Sequence, residues 1–103
     1  MVNYTVGCTF ESAVIGDAWL GWLQREHLAE VCAAGALSAE VVKLIGPEVR
    51  YQVHYRFASW EDFHAYEADH APRLRAAGLE RFPLALGLRY ERTVGDVMAR
   101  YPA

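Results

Sequence analysis

The segment Val49–Phe57 alternates between apolar and polar side chains. Its inner apolar members are Tyr51, Val53, Tyr55 and Phe57, and its polar members are Arg50, Gln52, His54 and Arg56. Because successive side chains of a β-strand point to opposite faces, this pattern predicts a strand with one buried face and one open face. The segment Val2–Phe10 alternates in the same way, which predicts a second strand of this kind.

The first helix is predicted between these two strands. Asp17 is a suitable N-cap, the apolar residues repeat with helical spacing to about Ala34, and Gly35 can close the last turn. A further strand is predicted over Leu37–Ile45, because the segment contains few polar residues and ends at a turn signal, Gly46-Pro47.

The second helix is predicted to begin at Ser59, whose hydroxyl can cap the first turn. Pro72 lacks a backbone N–H, so the helix is predicted to kink or restart near His70. Gly78 is predicted to end the helix. A last strand is predicted over Leu86–Arg92, where Leu86, Leu88 and Tyr90 share one face, and the residues after Thr93 could extend it along the sheet edge.

The resulting order is strand, helix, strand, strand, helix, strand. It belongs to the α+β class and predicts a ferredoxin-like fold, in which a four-stranded antiparallel sheet carries two helices on one face. With 103 residues, the chain is expected to form one domain over residues 1–103. The uncovered sheet face is predicted to form a homodimer contact or a solvated surface, and its candidate contact residues are Thr5, Gln52, His54 and Arg56.

Composition and charge exclude several classes of function. Ten basic and 13 acidic residues give a net charge of −3, which argues against a nucleic-acid partner because phosphate binding needs a positive field. The chain contains no run of about 18 apolar residues, so no membrane partner is expected. The first ten residues lack the basic and apolar regions of a signal peptide. A cytoplasmic location, with Cys8 and Cys32 reduced, is therefore expected.

Each predicted helix places a histidine inside an apolar stripe. A leucine buried at such a position would gain about 1.5–3 kcal/mol of transfer free energy. A histidine there therefore indicates that a ligand or a buried water molecule requires a polar side chain. The sequence predicts a cavity between helices and sheet, and its candidate lining residues are His27, His70, Tyr66, Tyr4 and Tyr55. The alternative is that each imidazole bonds a neighbouring carbonyl or tyrosine hydroxyl.

Metal and cofactor chemistry are not predicted. Glu61 and His64 have the spacing of a di-iron motif on a helix, but the pair occurs once and falls on the outward face. The sequence also lacks a glycine-rich phosphate loop and a Cys-x-x-Cys pair. Imidazoles and phenols in one cavity would supply acid and base groups near neutral pH, but they do not identify a catalytic residue.

Four sequence motifs follow one another along the chain in the order found in a known family. They are Trp-x-x-Trp-Leu-x-x-x-His over Trp19–His27, Tyr-x-Val-x-Tyr over Tyr51–Tyr55, the capping region Ser59–Phe63, and Leu-Arg-x-x-Gly-Leu-Glu-Arg-Phe over Leu74–Phe82. The chain resembles a small bacterial family of unknown function in the dimeric α/β-barrel superfamily, related in fold to antibiotic-biosynthesis monooxygenases and stress-responsive barrel proteins. The resemblance implies a barrel formed by two sheets face to face, and no activity.

The resemblance also bears on enzyme activity. Haem-degrading monooxygenases of this superfamily use an Asn, a Trp and a His; Asn3 is present, but Tyr66 and Ala76 stand at the other two positions. That set is not retained, which favours a protein without this activity. The expected function is a homodimeric small-ligand-binding or accessory protein. The alternatives are a cofactor-independent enzyme, monooxygenase- or isomerase-like, on a small hydrophobic substrate, and a module that serves assembly alone.

Overall fold

A sheet of four strands forms the centre of the structure, a computed structural model that describes residues 1–102. β1 spans Val2–Phe10, β2 spans Ser38–Lys43, β3 spans Val49–Phe57 and β4 spans Leu88–Asp96. Each strand pair is antiparallel, and the order across the sheet is β2-β3-β1-β4. The prediction of a four-stranded antiparallel sheet is therefore confirmed. The predicted domain extends to Ala103, which lies outside the described residues.

The central strands β1 and β3 have the predicted bounds and pair along their whole length. Tyr4 lies opposite Tyr55, and both side chains are at most 4% exposed. The alternate positions, such as Thr5 opposite His54, are only half-buried. The register therefore puts one buried row and one open row of side chains on the two faces of the sheet, as the alternation predicted.

The two edge strands differ from their predicted bounds. The strand predicted over Leu37–Ile45 ends at Lys43, and Ile45 is fully exposed in the following turn. The strand predicted from Leu86 begins two residues later, because Leu84–Leu86 forms a 3₁₀ turn that ends at Gly87 with a φ of 88°. Glycine adopts that left-handed conformation without strain. Beyond Arg92, β4 continues to Asp96 through its pairing with β1.

The first helical region is continuous but irregular. It consists of α1 (Ala13–Trp22), a π-helical segment (Leu23–His27) and α2 (Leu28–Ala33). The predicted start at Asp17 is wrong, because the Ser12 hydroxyl accepts a hydrogen bond from the Ile15 N–H and caps the helix earlier in the chain. Gly35 follows the helix with a φ of 131°, consistent with its predicted role at the end.

The second helical region is divided as Pro72 predicted. α3 (Trp60–Asp69) starts at the Ser59 cap, and α4 (Ala71–Arg81) restarts after His70. Gly78 does not end the helix, contrary to prediction. It is buried inside α4, where an added Cβ would lie 3.2 Å from Trp22. The close approach of Trp22 therefore explains this glycine. No helix within residues 1–102 has the length and apolar character needed to cross a membrane.

Aromatic side chains join both helical regions to the central strands. Phe10 on β1 packs against Trp19 of α1, with ring centroids 5.2 Å apart. Tyr4, further along the same face of β1, packs against Phe63 and Tyr66 of α3 at 5.3 and 6.4 Å. The core therefore lies between this face of the sheet and the helices.

Candidate functional site

A small cavity lies between the helices and the sheet. Its volume is about 50 Å³, room for a few water molecules, and it lies within a depression that opens to solvent and has about 520 Å³ of free space. Its titratable lining residues are Tyr4, Tyr55, Tyr66, Tyr90, His27, Arg75 and Arg92. Trp19, Trp22 and aliphatic side chains complete the wall. The cavity combines an apolar wall with a few polar groups, which is the usual character of a small-molecule site.

The π-helical segment explains how His27 reaches Trp22. Side chains five residues apart point about 140° away from each other in an α-helix. In this segment the Leu28 N–H instead donates to the Leu23 carbonyl, five residues earlier, so side chains at that separation lie one above the other. The His27 ring stacks on Trp22 with centroids 4.5 Å apart and planes inclined by 20°.

Burial controls the protonation state of His27. Partial removal from water lowers the pKa of the imidazole from 6.5 to about 4. The ring is therefore neutral at neutral pH, and one of its two nitrogens carries a lone pair that can accept a hydrogen bond or a proton.

Arg75 forms the most polar part of the wall. Its Nη2 donates to the Tyr4 hydroxyl at 3.0 Å and to a carboxylate oxygen of Glu67 at 2.8 Å. Its Nε is buried and has no hydrogen-bond partner within residues 1–102. The Tyr4 hydroxyl accepts from Arg75, and its own proton remains free to donate. Both Arg75 and Tyr4 therefore offer donors to an oxygen atom placed beside them.

Burial keeps the phenols of Tyr66 and Tyr55 protonated. Removal from water, followed by the influence of Tyr4, raises the pKa of Tyr66 to about 12. Burial also raises the pKa of Tyr55, with smaller contributions from Tyr66 and Tyr4. Both hydroxyls are neutral at physiological pH. They can donate or accept hydrogen bonds but cannot act as phenolate bases.

A second polar group of the wall lies on the β1–β4 side. The Trp19 indole Nε1 donates to the Tyr90 hydroxyl at 3.1 Å, and the Arg92 guanidinium carbon lies 5.0 Å from the Tyr90 ring centroid. Burial raises the pKa of the adjacent Cys8 thiol to about 12. Cys8 is therefore a protonated core thiol rather than a nucleophile.

The structure brings together four of the five predicted cavity residues. Tyr4, Tyr55, Tyr66 and His27 line the cavity, and His70 does not. The break before α4 leaves His70 with a non-helical φ/ψ pair, and its Nδ1 lies 2.8 Å from Nη2 of Arg73, outside the cavity. The break near His70 was predicted from Pro72, but it places the His70 ring beside Arg73 instead of opening the cavity toward it.

Sequence reasoning did not assign the two arginines to the cavity, although signals for both were present. Arg75, Gly78 and Leu79 are spaced i, i+3, i+4 and share a helix face. Arg92 continues the inward alternation of Leu88 and Tyr90 along β4.

The open sheet face carries the four predicted contact residues, Thr5, Gln52, His54 and Arg56, all half-buried. A hydrogen bond of 3.0 Å joins the Thr5 hydroxyl to His54 Nδ1, and Asn3 donates to the same hydroxyl at 3.2 Å. A depression of about 830 Å³ lies over one end of this face, between β2 and the residues that follow β4. The face is therefore a polar, hydrogen-bonded surface within the isolated chain.

The described part of the chain contains no group of three His, Cys, Asp or Glu side chains that could share a metal ion. His64 is exposed and lies beside the Trp60 ring, with centroids 5.6 Å apart. Neither it nor Glu61 lines the cavity.

Comparison with known families identifies the chain. Residues 1–86 match the model of a domain of unknown function, DUF4286. The chain belongs to the DUF4286 family. The resemblance to a family without an assigned activity is thereby confirmed. A search of curated protein sequences finds no significant match.

Solved structures show what fold this DUF4286 chain has. A dimeric ferredoxin-like protein from an uncultured marine organism is 15% identical, with a TM-score of 0.77 and 98% of each chain covered. SnoaB, a cofactor-independent oxygenase from Streptomyces nogalater, is 13% identical, with a TM-score of 0.73, covering 99% of this chain and 97% of SnoaB. A Streptomyces coelicolor monooxygenase in complex with Nanaomycin D is 13% identical, with a TM-score of 0.68, covering 99% and 92%. At these identities the likeness establishes a ferredoxin-like fold alone.

The lowered pKa of His27 predicts how stability of this DUF4286 chain depends on pH. Between about pH 6.5 and pH 4 the unfolded chain binds a proton that the folded chain excludes, so stability falls as the pH falls through this window. His27→Phe keeps a ring on Trp22 and removes the titration. The unfolding free energy of this variant, measured by urea denaturation, is expected to decrease less between pH 6.5 and pH 4 than that of the wild-type chain. The difference between the two decreases should reach up to about 3 kcal/mol.

The control for this measurement is His64→Phe, which replaces an exposed ring. This variant should retain the wild-type decline in stability. A wild-type chain and a His27→Phe chain with the same decline would contradict the burial of a neutral imidazole.

Proposed function

We propose that this DUF4286 chain is a homodimeric protein that binds a small hydrophobic molecule carrying an oxygen acceptor. The binding site is the cavity between the helices and the sheet together with the depression around it, whose free space of about 520 Å³ has room for a ring. The observation that carries the proposal is the buried Nε of Arg75, an N–H donor without a protein partner in the described chain, in a wall otherwise made of aromatic and aliphatic groups.

The energetic argument rests on the cost of that donor. A buried donor without a partner costs about 1–3 kcal/mol, and more when the group is charged. A ligand oxygen would remove the cost if the side chains that cover Nε shift enough to admit it. The Tyr4 hydroxyl accepts from Arg75 Nη2 at 3.0 Å and can donate its own proton to the same ligand oxygen. The aromatic wall supplies apolar contact for the rest of the ligand.

Homodimerisation through the open sheet face completes the proposal. The half-buried polar row of β1 and β3 supports it, because a partner sheet could meet these side chains with hydrogen bonds. A fold neighbour is described as dimeric. In this proposal, residues 1–103 form one domain, and two domains pack sheet to sheet as a dimeric α/β barrel. The free thiols of Cys8 and Cys32 support a cytoplasmic location.

A second candidate function is a cofactor-independent enzyme, monooxygenase- or isomerase-like, that acts on a small hydrophobic substrate. The neutral imidazole of His27 at the cavity wall favours it, since this group could accept a proton from a bound molecule. SnoaB, of similar fold, is described as a cofactor-independent oxygenase. The two functions differ at His27, which turnover would require and binding alone would not.

Binding is tested with two probes of matched shape, acetophenone and ethylbenzene, which differ in one carbonyl group. Trp19 and Trp22 line the cavity and Trp60 does not, so the indole N–H signals of ¹⁵N-labelled protein report where a probe binds. Acetophenone is expected to shift the Trp19 and Trp22 signals and to bind about tenfold more tightly than ethylbenzene, because it gives Arg75 an acceptor.

Two α4 variants provide the matched comparison. Arg75→Lys keeps the positive charge but lacks the Nε donor, and should lose the preference for acetophenone. Arg73→Lys makes the same change on the exposed side of α4 and should retain it. Equal affinity for the two probes in the wild-type chain, or signals that move only at Trp60, would refute the proposed site.

The dimer is tested at Gln52, at the middle of the open face of β3. Gln52→Lys would place like charges near the two-fold axis, so it should convert a dimer of about twice 11.6 kDa into a monomer in sedimentation experiments. Arg73→Glu, a charge change on an exposed helix position, should remain dimeric. A wild-type chain that sediments as a monomer at micromolar concentration would contradict the proposed assembly.

A further inference from the structure

A groove adjoins the cavity on the outer side of Tyr4, between α3 and β4. Its volume is about 430 Å³, which is in the range of small-molecule sites. Phe63 of α3 and Val94 of β4 provide its apolar walls, and Val94 is 44% exposed. Tyr4, Arg75 and Arg92 line both this groove and the inner cavity. These three side chains therefore form the boundary between an outer space large enough for a ring and an inner space of water size.

The boundary carries more positive than negative charge. Glu67 is the acidic residue of the groove, and its carboxylate already pairs with Arg75 at 2.8 Å. Arg92 forms no ion pair within residues 1–102; its guanidinium lies over the Tyr90 ring. The chain as a whole has a net charge of −3, so this local excess is opposite in sign to the overall charge.

We propose that the ligand of this site is an aromatic carboxylate. Its ring lies in the groove against Phe63 and Val94, and its carboxylate lies at the boundary between the two guanidinium groups of Arg75 and Arg92. This inference rests on the proposed function, because it assigns a charge and an orientation to the ligand of the same site.

The hydrogen-bonding groups at the boundary match a carboxylate. A carboxylate has two oxygens and about four lone-pair positions, and arginine recognises it with parallel N–H donors. Arg75 Nε is a buried donor without a partner in the described chain, and the proton of the Tyr4 hydroxyl is available. Arg92 can add a further charged donor from β4. A neutral carbonyl group would use only part of this set.

The volumes decide the orientation. The inner space of about 50 Å³ can take a carboxylate or a few water molecules but not a benzene ring, whereas the groove of about 430 Å³ can hold a ring. An orientation with the ring outside and the charge at the boundary therefore needs the smallest change in the protein. His64, the other titratable group of the groove, lies at its outer wall.

The test compares benzoate with methyl benzoate, its neutral ester, and with acetate, a carboxylate without a ring. The indole signals of Trp19 and Trp22 report a group at the boundary, because both side chains line the inner cavity. Trp60 packs against Phe63 with ring centroids 5.9 Å apart, so its signal should also move when a ring lies in the groove. Preserved spectral dispersion shows that each variant is folded. Benzoate is expected to bind about tenfold or more tightly than methyl benzoate, because hydrogen bonds to charged groups are the stronger ones. Acetate should bind more weakly than benzoate because it leaves the groove empty.

Variants identify the groups that recognise the charge. Arg92→Gln should remove most of the preference for benzoate over methyl benzoate. Arg73→Gln removes the same charge from an exposed site outside the groove and should keep the preference.

The outcomes separate this inference from the proposed function. Equal affinities for benzoate and methyl benzoate, or a preference that survives Arg92→Gln, would overturn the anionic ligand while cavity binding stands. Acetate binding as tightly as benzoate would overturn the role of the groove. If neither aromatic probe, nor acetophenone, moves the Trp19 and Trp22 signals, the proposed function fails and this inference fails with it.

Discussion

The pairing of β1 with β3 determines where the helices pack and where the cavity forms. The register of these strands puts Tyr4 opposite Tyr55, with ring centroids 5.9 Å apart, in a buried row of large rings. Both helical regions pack on this row, through Trp19 on one side and Phe63 on the other. A cavity among polar-tipped rings is a direct consequence of this layer.

Irregular backbone then decides which polar groups reach the cavity. The π-helical segment Leu23–His27 places the His27 ring on Trp22, and the break at His70 turns that second histidine away from the wall. Arg75 lies in the restarted helix, α4, so its guanidinium bonds Tyr4 and Glu67 at the cavity edge. A half-buried neutral imidazole and a buried guanidinium N–H without a partner both cost free energy, and π-helical segments occur frequently at functional sites. Together they make the cavity the part of the chain where function is expected.

The alternation of side chains was sufficient to predict β1 and β3 to the residue, because one face of each strand is covered and the other is open. The cap at Ser59 and the restart caused by Pro72 were predictable for a similar reason, since each depends on one local group. The π-helical segment and the helix start at Ser12 were not predictable from periodicity, which assumes 3.6 residues per turn throughout. Gly78 was misinterpreted as a helix end because its role depends on Trp22, a residue distant in sequence. The cavity residues Tyr4 and Tyr55 followed from strand alternation, whereas Arg75 required the contact between α4 and β1 to be known.

The central claim is that Arg75 Nε is a donor held for a ligand oxygen. A high-resolution crystal structure of the protein grown with acetophenone, compared with one grown without it, tests this most directly. The ketone oxygen is expected within about 3.2 Å of Arg75 Nε, at the boundary formed with Tyr4. Two crystal structures in which a protein oxygen bonds Nε and the ketone lies elsewhere would contradict it.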